Sequence, residues 1–339
     1  MCKGSGSDVS LNMKTTSNVS LEMIEILLAQ EIQHSKIYNW PYITAELVIA
    51  VLSIFGNMLV CVAIWRNKKL QTITNYFLVS LAVADFLVGA LAIPCALIID
   101  LGISYHNYSL CVFVLSMLII PSQSSIFSLL LVAIERYIAI ILPFHYRRLM
   151  KPRTAKLVIL LTWILACVMG LIPLMGFQQR YKRISHCVLV YVVNMTYMVY
   201  FCFFGSVLTS LLVMFFIYTH IFITVRKHLK NIANMRTISA KQAKRNMGVV
   251  RKVRKTICIF LILFLFIICL IPLHIILCVR FFCPRCKVPS QLILTAVILS
   301  HANSVFNPLL YAYRMKSFYQ AFKSIILCKH RPSQLVSND

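Results

Sequence analysis

The stretch YITAELVIAVLSIFGNMLVCVAIW, residues 42–65, indicates the class of fold. Its only charged side chain is that of Glu46, and about 20 consecutive apolar residues suffice for a helix that crosses a bilayer. Since 60% of the chain is hydrophobic and only 13% is charged, a soluble core cannot account for such runs. Comparable runs follow at 75–99, 108–134, 157–177, 195–225, 257–280 and 289–313. The sequence therefore predicts an all-α membrane protein, a seven-transmembrane helix bundle whose helices we name span one to span seven.

Lys and Arg are concentrated in the loops that follow spans one, three and five. Loops rich in these residues lie on the cytoplasmic side of a membrane. We therefore expect a multi-pass plasma-membrane protein with an extracellular N-terminal tail at 1–41, a seven-span domain at 42–313, and a cytoplasmic amphipathic helix and tail at 314–339. The net charge of +25 then reflects topology and contact with the lipid bilayer, so nucleic acid is not expected as a partner.

Residues on the predicted outer side support this orientation. Cys111 opens span three and Cys187 lies in the second outer loop, so a disulfide between them is expected outside the cell. Cys283 and Cys286 are expected to close a small loop before span seven. The glycosylation sequons all fall on the same side, at Asn18, Asn107 and Asn194.

Ionisable residues inside the spans are few, and they limit the possible functions. No Asp or Glu occurs between Glu135 and Asp339, so Asp85 has no later carboxylate with which to form an aspartyl protease dyad. An enzyme is therefore not expected, and neither is a metal site, because no His or carboxylate cluster accompanies the cysteines. A transporter or ion-conducting protein stays open as an alternative, since a cation site is conceivable at Asp85, Ser125, Asn303, Ser304 and Asn307.

Short motifs in every span resemble those of rhodopsin-class (class A) G-protein-coupled receptors. They are GN at 56–57, SLAVAD ending at Asp85, ERY at Glu135, Arg136 and Tyr137, Trp163, Tyr218, CLIPLH at 269–274 and NPLLY at 307–311. Longer segments resemble the adenosine receptors, namely TNYFLVSLAVAD at 74–85, QSSIFSLL at 123–130, IPLHII at 271–276 and SHANSVFNPLLYAYR at 300–314. The resemblance implies a small-molecule ligand, adenosine or a nucleoside-like compound, and a heterotrimeric G protein that acts on adenylate cyclase and cyclic AMP.

The resemblance also assigns roles to residues. Those expected in the ligand site are Glu46, Ser122, Gln123, Leu189, Met198, Leu273, His274, Leu277, Ser300 and His301. No cofactor is expected except a sodium ion at Asp85, with Ser125, Asn303, Ser304 and Asn307. Those expected in G-protein coupling and the activation switch are Glu135, Arg136, Tyr137, Tyr218, Pro272, Pro308 and Tyr311. Pro272 removes a backbone hydrogen bond and would make a hinge in span six.

Some positions depart from the adenosine receptor pattern. Leu189, Val190 and Leu277 stand where the family has an aromatic residue, a glutamate and an asparagine that contact the nucleoside. Losing the bidentate amide alone should cost roughly 2 to 4 kcal/mol of binding. The ligand site is thus predicted to be altered, and the alternative is a receptor for a different, less polar ligand or one that acts without a ligand.

Two further positions bear on the class of ligand and on signalling without a ligand. Leu118 stands where amine receptors place an aspartate, so a cationic amine ligand is not expected. The inner end of span six has only cations, at 250–256, where an acidic residue would restrain Arg136, which suggests raised basal signalling.

The segment after span seven has its own pattern. Phe318, Phe322 and Ile325 recur at helical spacing, which predicts a short amphipathic helix at the membrane surface. Cys328 at its end is a candidate for palmitoylation, and an unmodified thiol is the alternative.

Overall fold

The computed structural model describes residues 39–101, 108–175, 187, 192–233, 264–283 and 285–327. Seven of its helices are long and apolar enough to cross a membrane, and they confirm the predicted bundle. They are Trp40–Arg66, Ile73–Asp100, Ser109–Ile141, Pro152–Met175, Tyr197–Lys227, Phe264–Phe282 and Ser290–Arg314. Span three continues past the predicted end at residue 134 to Ile141, and Glu135 and Arg136 form an ion pair within this continuation.

The helix starts follow from local chemistry. Asn39 precedes span one, and its side-chain Oδ1 accepts a hydrogen bond from the backbone N–H of Tyr42 at 3.2 Å. Thr72 caps the next span in the same way, through Asn75 N–H at 3.4 Å. Span four begins with Pro152, whose missing N–H costs nothing in the first turn of a helix. These residues set where the spans enter the bundle.

Two spans contain π-helical turns, and several contain proline. The π-helical stretches are Val88–Ala92 in span two and Tyr197–Leu208 in span five. Pro121 and Pro308 lie inside helices, and span six is helical on both sides of Pro272. Such irregular turns aim side chains differently from a regular helix and recur at functional sites. The hinge at Pro272 stays a prediction.

Spans one and seven approach each other closely at Gly56. A Cβ atom at this glycine would lie 3.1 Å from Cγ of Pro308. The neighbouring Asn57 is fully buried, and its Nδ2 donates hydrogen bonds of 2.9 Å to the carbonyl oxygens of Ser53 and Ser304. The GN motif therefore allows the close approach and links the two helices.

Span three lies at the centre of the bundle and packs against spans two, four and five. On its inner half, Ile126, Leu129, Val132 and Ala133 are buried in the largest apolar cluster. Span four is the opposite case, since much of its surface is exposed and apolar, as at Leu157, Leu160 and Leu161. Such a surface fits contact with lipid.

The short helix after span seven is confirmed at Lys316–Ile326. Phe318 and Phe322 are buried, and the ring of Phe318 packs against that of Tyr311, with the planes tilted by 37° and the centroids 5.6 Å apart. Tyr319 on the other face is exposed. The helix is thus amphipathic and is attached to span seven by its aromatic face; Cys328 lies outside the described residues.

Both predicted disulfides are present. Cys111 is bonded to Cys187, which ties the second outer loop to span three, and Cys283 is bonded to Cys286. Of the sequons, Asn18 and Asn107 lie outside the described residues. Asn194 is half-buried, and its Oδ1 accepts a hydrogen bond from the N–H of Thr196 at 2.9 Å.

Candidate functional site

A cavity of about 270 Å³ opens between the spans on the predicted outer side. Most of its lining is apolar, including Leu115, Leu118, Leu270 and Ile276. Eight of the ten residues that the sequence predicts for a ligand site line it: Ser122, Gln123, Met198, Leu273, His274, Leu277, Ser300 and His301. Leu189 lies outside the described residues, as does Val190. An apolar cavity with a few placed polar groups is the usual form of a small-molecule site.

Gln123 and His274 are held in fixed orientations in this lining. Ser206, from the π-helical part of span five, donates a hydrogen bond of 2.6 Å to Oε1 of Gln123. Nδ1 of His274 donates to the carbonyl oxygen of Leu270 at 2.9 Å, and the ring stacks on Phe203. In the neutral ring Nε2 is then an acceptor. The side chain therefore both packs in the helix bundle and contributes a polar atom to the site.

Glu46 does not line the cavity but supports a residue that does. Its carboxylate is fully buried in span one, and Oε2 is 2.8 Å from Nδ1 of His301 in span seven. Oε1 has no hydrogen-bond partner among the described residues. The Glu46–His301 pair expected from the resemblance is therefore formed, and it uses one of the two carboxylate oxygens.

Tyr42 and Asp100 also line the cavity, and neither was predicted as a ligand-site residue from the sequence. Asp100 is the last residue of span two and is 6% exposed, and its Oδ2 accepts a hydrogen bond from the Tyr42 hydroxyl at 2.9 Å. The apolar run predicted for span two ends at residue 99, one residue before Asp100. The extra residue of helix brings a carboxylate into the site.

Below the cavity, Asp85 is fully buried and collects donors from spans three and seven. Oδ1 accepts from Ser125 at 2.8 Å and from Ser304 at 3.2 Å, and Oδ2 accepts from Asn307 at 2.6 Å. Asn303 is buried in span seven, as Ser304 and Asn307 are, but it makes no hydrogen bond to Asp85. The carboxylate and the two hydroxyl oxygens form a donor set that suits a small hard cation such as sodium. Among the described residues, no three or more His, Cys, Asp or Glu side chains form a group that could hold a metal ion.

At the other end of span three, Glu135 and Arg136 form a buried ion pair. Nε and Nη2 of Arg136 donate to the two carboxylate oxygens of Glu135, each at 2.6 Å. Thr74 of span two donates to Oε1 of Glu135 at 2.9 Å and accepts a further bond from Arg136. Tyr146, in the loop helix Pro143–Leu149, donates to Oε1 at 2.8 Å. Loss of solvent around the Tyr146 hydroxyl, aided by this hydrogen bond, raises its pKa to about 12.

Three tyrosines that the sequence predicts for the activation switch lie in spans three, five and seven. The hydroxyl of Tyr137 lies 3.2 Å from Nδ1 of His220 in span five. Tyr218 and Tyr311 are each 1% exposed, in spans five and seven. The basic segment at 250–256, on which the expectation of raised basal signalling depends, lies outside the described residues. Arg136 therefore has Glu135 and Thr74 as partners on the spans that the structure describes.

Comparisons with known proteins point to one family. The family model described as "7 transmembrane receptor (rhodopsin family)" matches residues 56–311. Among the curated relatives, adenosine receptor A2a of Homo sapiens is 43% identical over 299 residues, which cover 84% of this chain and 72% of the relative. Adenosine receptor A2a of Canis lupus familiaris is 42% identical over 304 residues, covering 85% and 72%. Adenosine receptor A2b of Homo sapiens is 40% identical over 304 residues, covering 84% and 89%.

Proposed function

Because the chain belongs to the rhodopsin family of seven-transmembrane receptors, we propose that it binds a small molecule on the extracellular side and activates a heterotrimeric G protein on the cytoplasmic side. It is a G-protein-coupled receptor that resembles the adenosine receptors. Its pathway, on this proposal, leads to adenylate cyclase and cyclic AMP. No observation favours a transporter.

The cavity and the Glu135–Arg136 pair carry the proposal. The cavity borders on Ile126 of span three, and the ion pair lies on the same helix more than two turns further along the chain. Between them, the buried Asp85 cluster joins spans two, three and seven. A ligand that shifts these spans can therefore change the surface at Arg136, where, with the basic loop after span five, we place the G protein.

We propose adenosine or a nucleoside-like compound as the first ligand to test. Ser300, His301 and His274 line the cavity and offer polar anchors. Leu277 lines it too, so the position expected to hold an amide presents an alkyl group instead. A less polar ligand is the second candidate, and the apolar lining at Leu115, Leu118 and Ile276 favours it.

Cyclic AMP in transfected cells tests both candidates. The parent receptor is compared with Leu277→Asn, with and without a high dose of adenosine. We expect the parent to respond weakly and the variant to respond at a concentration at least tenfold lower, because a bidentate amide contributes roughly 2 kcal/mol or more. Leu273→Asn is the matched control, since it adds the same amide one helical turn away.

The outcomes separate the ligand from the receptor function. A strong response of the parent would mean that the existing polar groups suffice for adenosine. Silence of the parent and of both variants would remove adenosine as a ligand. G-protein coupling itself is judged without ligand, by comparing basal cyclic AMP of the parent with mock-transfected cells and with Arg136→Ala.

The further proposals are a sodium ion at Asp85, an extracellular N-terminus, and the boundaries at residues 41 and 313.

A further inference from the structure

The ligand cavity extends inward between spans three and six. Its lining reaches Ile126 and Leu270, which are buried members of the largest apolar cluster. Ile126 directly follows Ser125, whose hydroxyl donates to Asp85, so this part of the cavity lies next to the Asp85 cluster. Gln123 lines the wall on the same side of span three. We name the part of the cavity formed by Gln123, Ile126 and Leu270 the deep end.

Gln123 is the polar side chain of the deep end, and it is only 4% exposed. Its Oε1 accepts the hydrogen bond of 2.6 Å from Ser206, which sets the orientation of the amide. Its Nε2 donates no hydrogen bond to any residue that the structure describes, and it is not enclosed by protein in the way that Oε1 of Glu46 is. The amide nitrogen therefore presents N–H donors to the cavity, and a desolvated donor favours an acceptor from a ligand.

Charged groups of the cavity lining lie away from the deep end. Asp100 is the last residue of span two, and Arg280 lies ten residues beyond Leu270 in span six, which is about 15 Å along the helix axis. His274 is closer, but its Nδ1 already donates to the Leu270 carbonyl, and Nε2 of the neutral ring is an acceptor. A ligand anion at the deep end would therefore be buried without a compensating positive charge.

A ligand cation matches the deep end no better. An ammonium group has only N–H donors, and the atom that Gln123 presents to the cavity is itself a donor. Asp85 does not line the cavity, and its oxygens already accept three hydrogen bonds. The group that fits is a neutral acceptor, such as a carbonyl oxygen, with carbon atoms on either side of it to pack against Ile126 and Leu270.

We propose that the deep end is a subsite in which Nε2 of Gln123 donates a hydrogen bond to a neutral acceptor oxygen at the buried end of the ligand. Ser206 is the positioning residue for the amide. The subsite rests on the proposed receptor function and specifies its ligand, whose inner end is an uncharged ketone, ester or amide within an apolar body. Such a ligand gains its specificity from one hydrogen bond in an apolar environment.

Two fragments of matched shape test the subsite. Acetophenone has a carbonyl oxygen, and α-methylstyrene has a CH2 group in its place. Their dissociation constants are measured by saturation-transfer NMR for the purified full-length receptor in nanodiscs, and for Gln123→Met, which keeps the length of the side chain and removes the donor. Each protein gives a ratio of the two constants, and comparing the ratios cancels the partition of the fragments into lipid. We expect the preference for acetophenone to be about tenfold greater in the parent than in Gln123→Met.

Variants of two serines test the position of the acceptor. Ser206→Ala should lower the preference about threefold, because the amide can then turn and present Oε1 to the carbonyl, and Ser206→Thr should retain it. Ser206→Ala is also the second variant if Gln123→Met does not fold. Ser300→Ala removes a hydroxyl that lines the cavity from span seven, and the preference should survive this change.

Three outcomes would overturn the subsite. They are equal ratios in the parent and Gln123→Met, no binding of either fragment to the parent, and a preference that is lost in Ser300→Ala but kept in Gln123→Met. The assay needs no signalling, so its failure is distinct from failure of the receptor function. A preference for acetophenone without any change in cyclic AMP would keep the subsite, whereas a cyclic AMP response to adenosine without the preference would keep the receptor function and remove the subsite.

Discussion

Neither Glu46 nor His301 can be assigned a role from the sequence around it alone. The burial of each side chain is explained by its contact with the other. A carboxylate that is fully buried in a membrane span is costly, and the 2.8 Å contact with His301 offsets that cost. Adjacent helices one and seven supply the two partners, which a linear sequence separates widely. The chemistry of each side chain could be predicted, and the resemblance supplied their pairing.

Removing both partners of this pair should destabilise the receptor by less than the two single removals added together. Glu46→Gln and His301→Gln are each expected to lower the free energy of unfolding by about 3 kcal/mol, since the remaining buried group loses its compensation. The double variant should lose less than the sum of the two. Thermal unfolding of the detergent-solubilised receptor measures all three, and strictly additive losses would contradict a direct interaction.

Asp85 leads to a prediction about sodium. If the oxygens of Asp85, Ser125 and Ser304 bind this ion, sodium at ten times its dissociation constant stabilises the folded receptor by about 1.4 kcal/mol. The unfolding temperature should then be higher in sodium chloride than in choline chloride at equal ionic strength. Asp85→Asn should remove the difference, and a difference that survives in this variant would place the ion elsewhere.

Among the elements, the contact between spans three and four depends on Gly170. A Cβ atom there would lie 2.2 Å from Cγ1 of Ile120 and 3.1 Å from its backbone nitrogen. Gly170→Ala should therefore force the spans apart and cost about 1–3 kcal/mol of unfolding free energy, as overpacking does. Thermal unfolding provides the measurement.

Two further variants make the test specific to this contact. Ile120→Ala combined with Gly170→Ala should recover part of the loss, because Cγ1 is then absent. Gly205→Ala in span five is the matched control, since its Cβ would lie 3.3 Å from the carbonyl oxygen of Tyr200 and meet no other helix. A loss in the control as large as that in Gly170→Ala would show that helix propensity, and not packing, is responsible.

The sequence predicts the positions of the spans better than it predicts their last residues and the contacts between elements. The apolar runs predicted the seven spans and most of their described ends to within a few residues, because hydrophobicity over about 20 residues is a strong signal. The inner end of span three, which continues to Ile141, is the exception. Span two extends one residue beyond its predicted end at residue 99, and that residue, Asp100, lines the cavity. Likewise, the hydrogen bond from Tyr146 to Glu135 depends on how the helix Pro143–Leu149 packs against span three. No local sequence pattern predicts that packing.

For the molecule as a whole, the placement of Lys and Arg predicts an extracellular N-terminus, and glycosylation tests it. Asn18, Asn107 and Asn194 are then accessible to the glycosylation machinery, whereas the C-terminal tail is not. We expect N-glycosidase treatment to increase the gel mobility of the parent but not that of a variant with all three changed to Gln. Adding Leu335→Asn, which creates a sequon in the tail, should not restore the shift. A shift in that last variant, with none in the parent, would invert the topology and move the cavity to the cytoplasmic side.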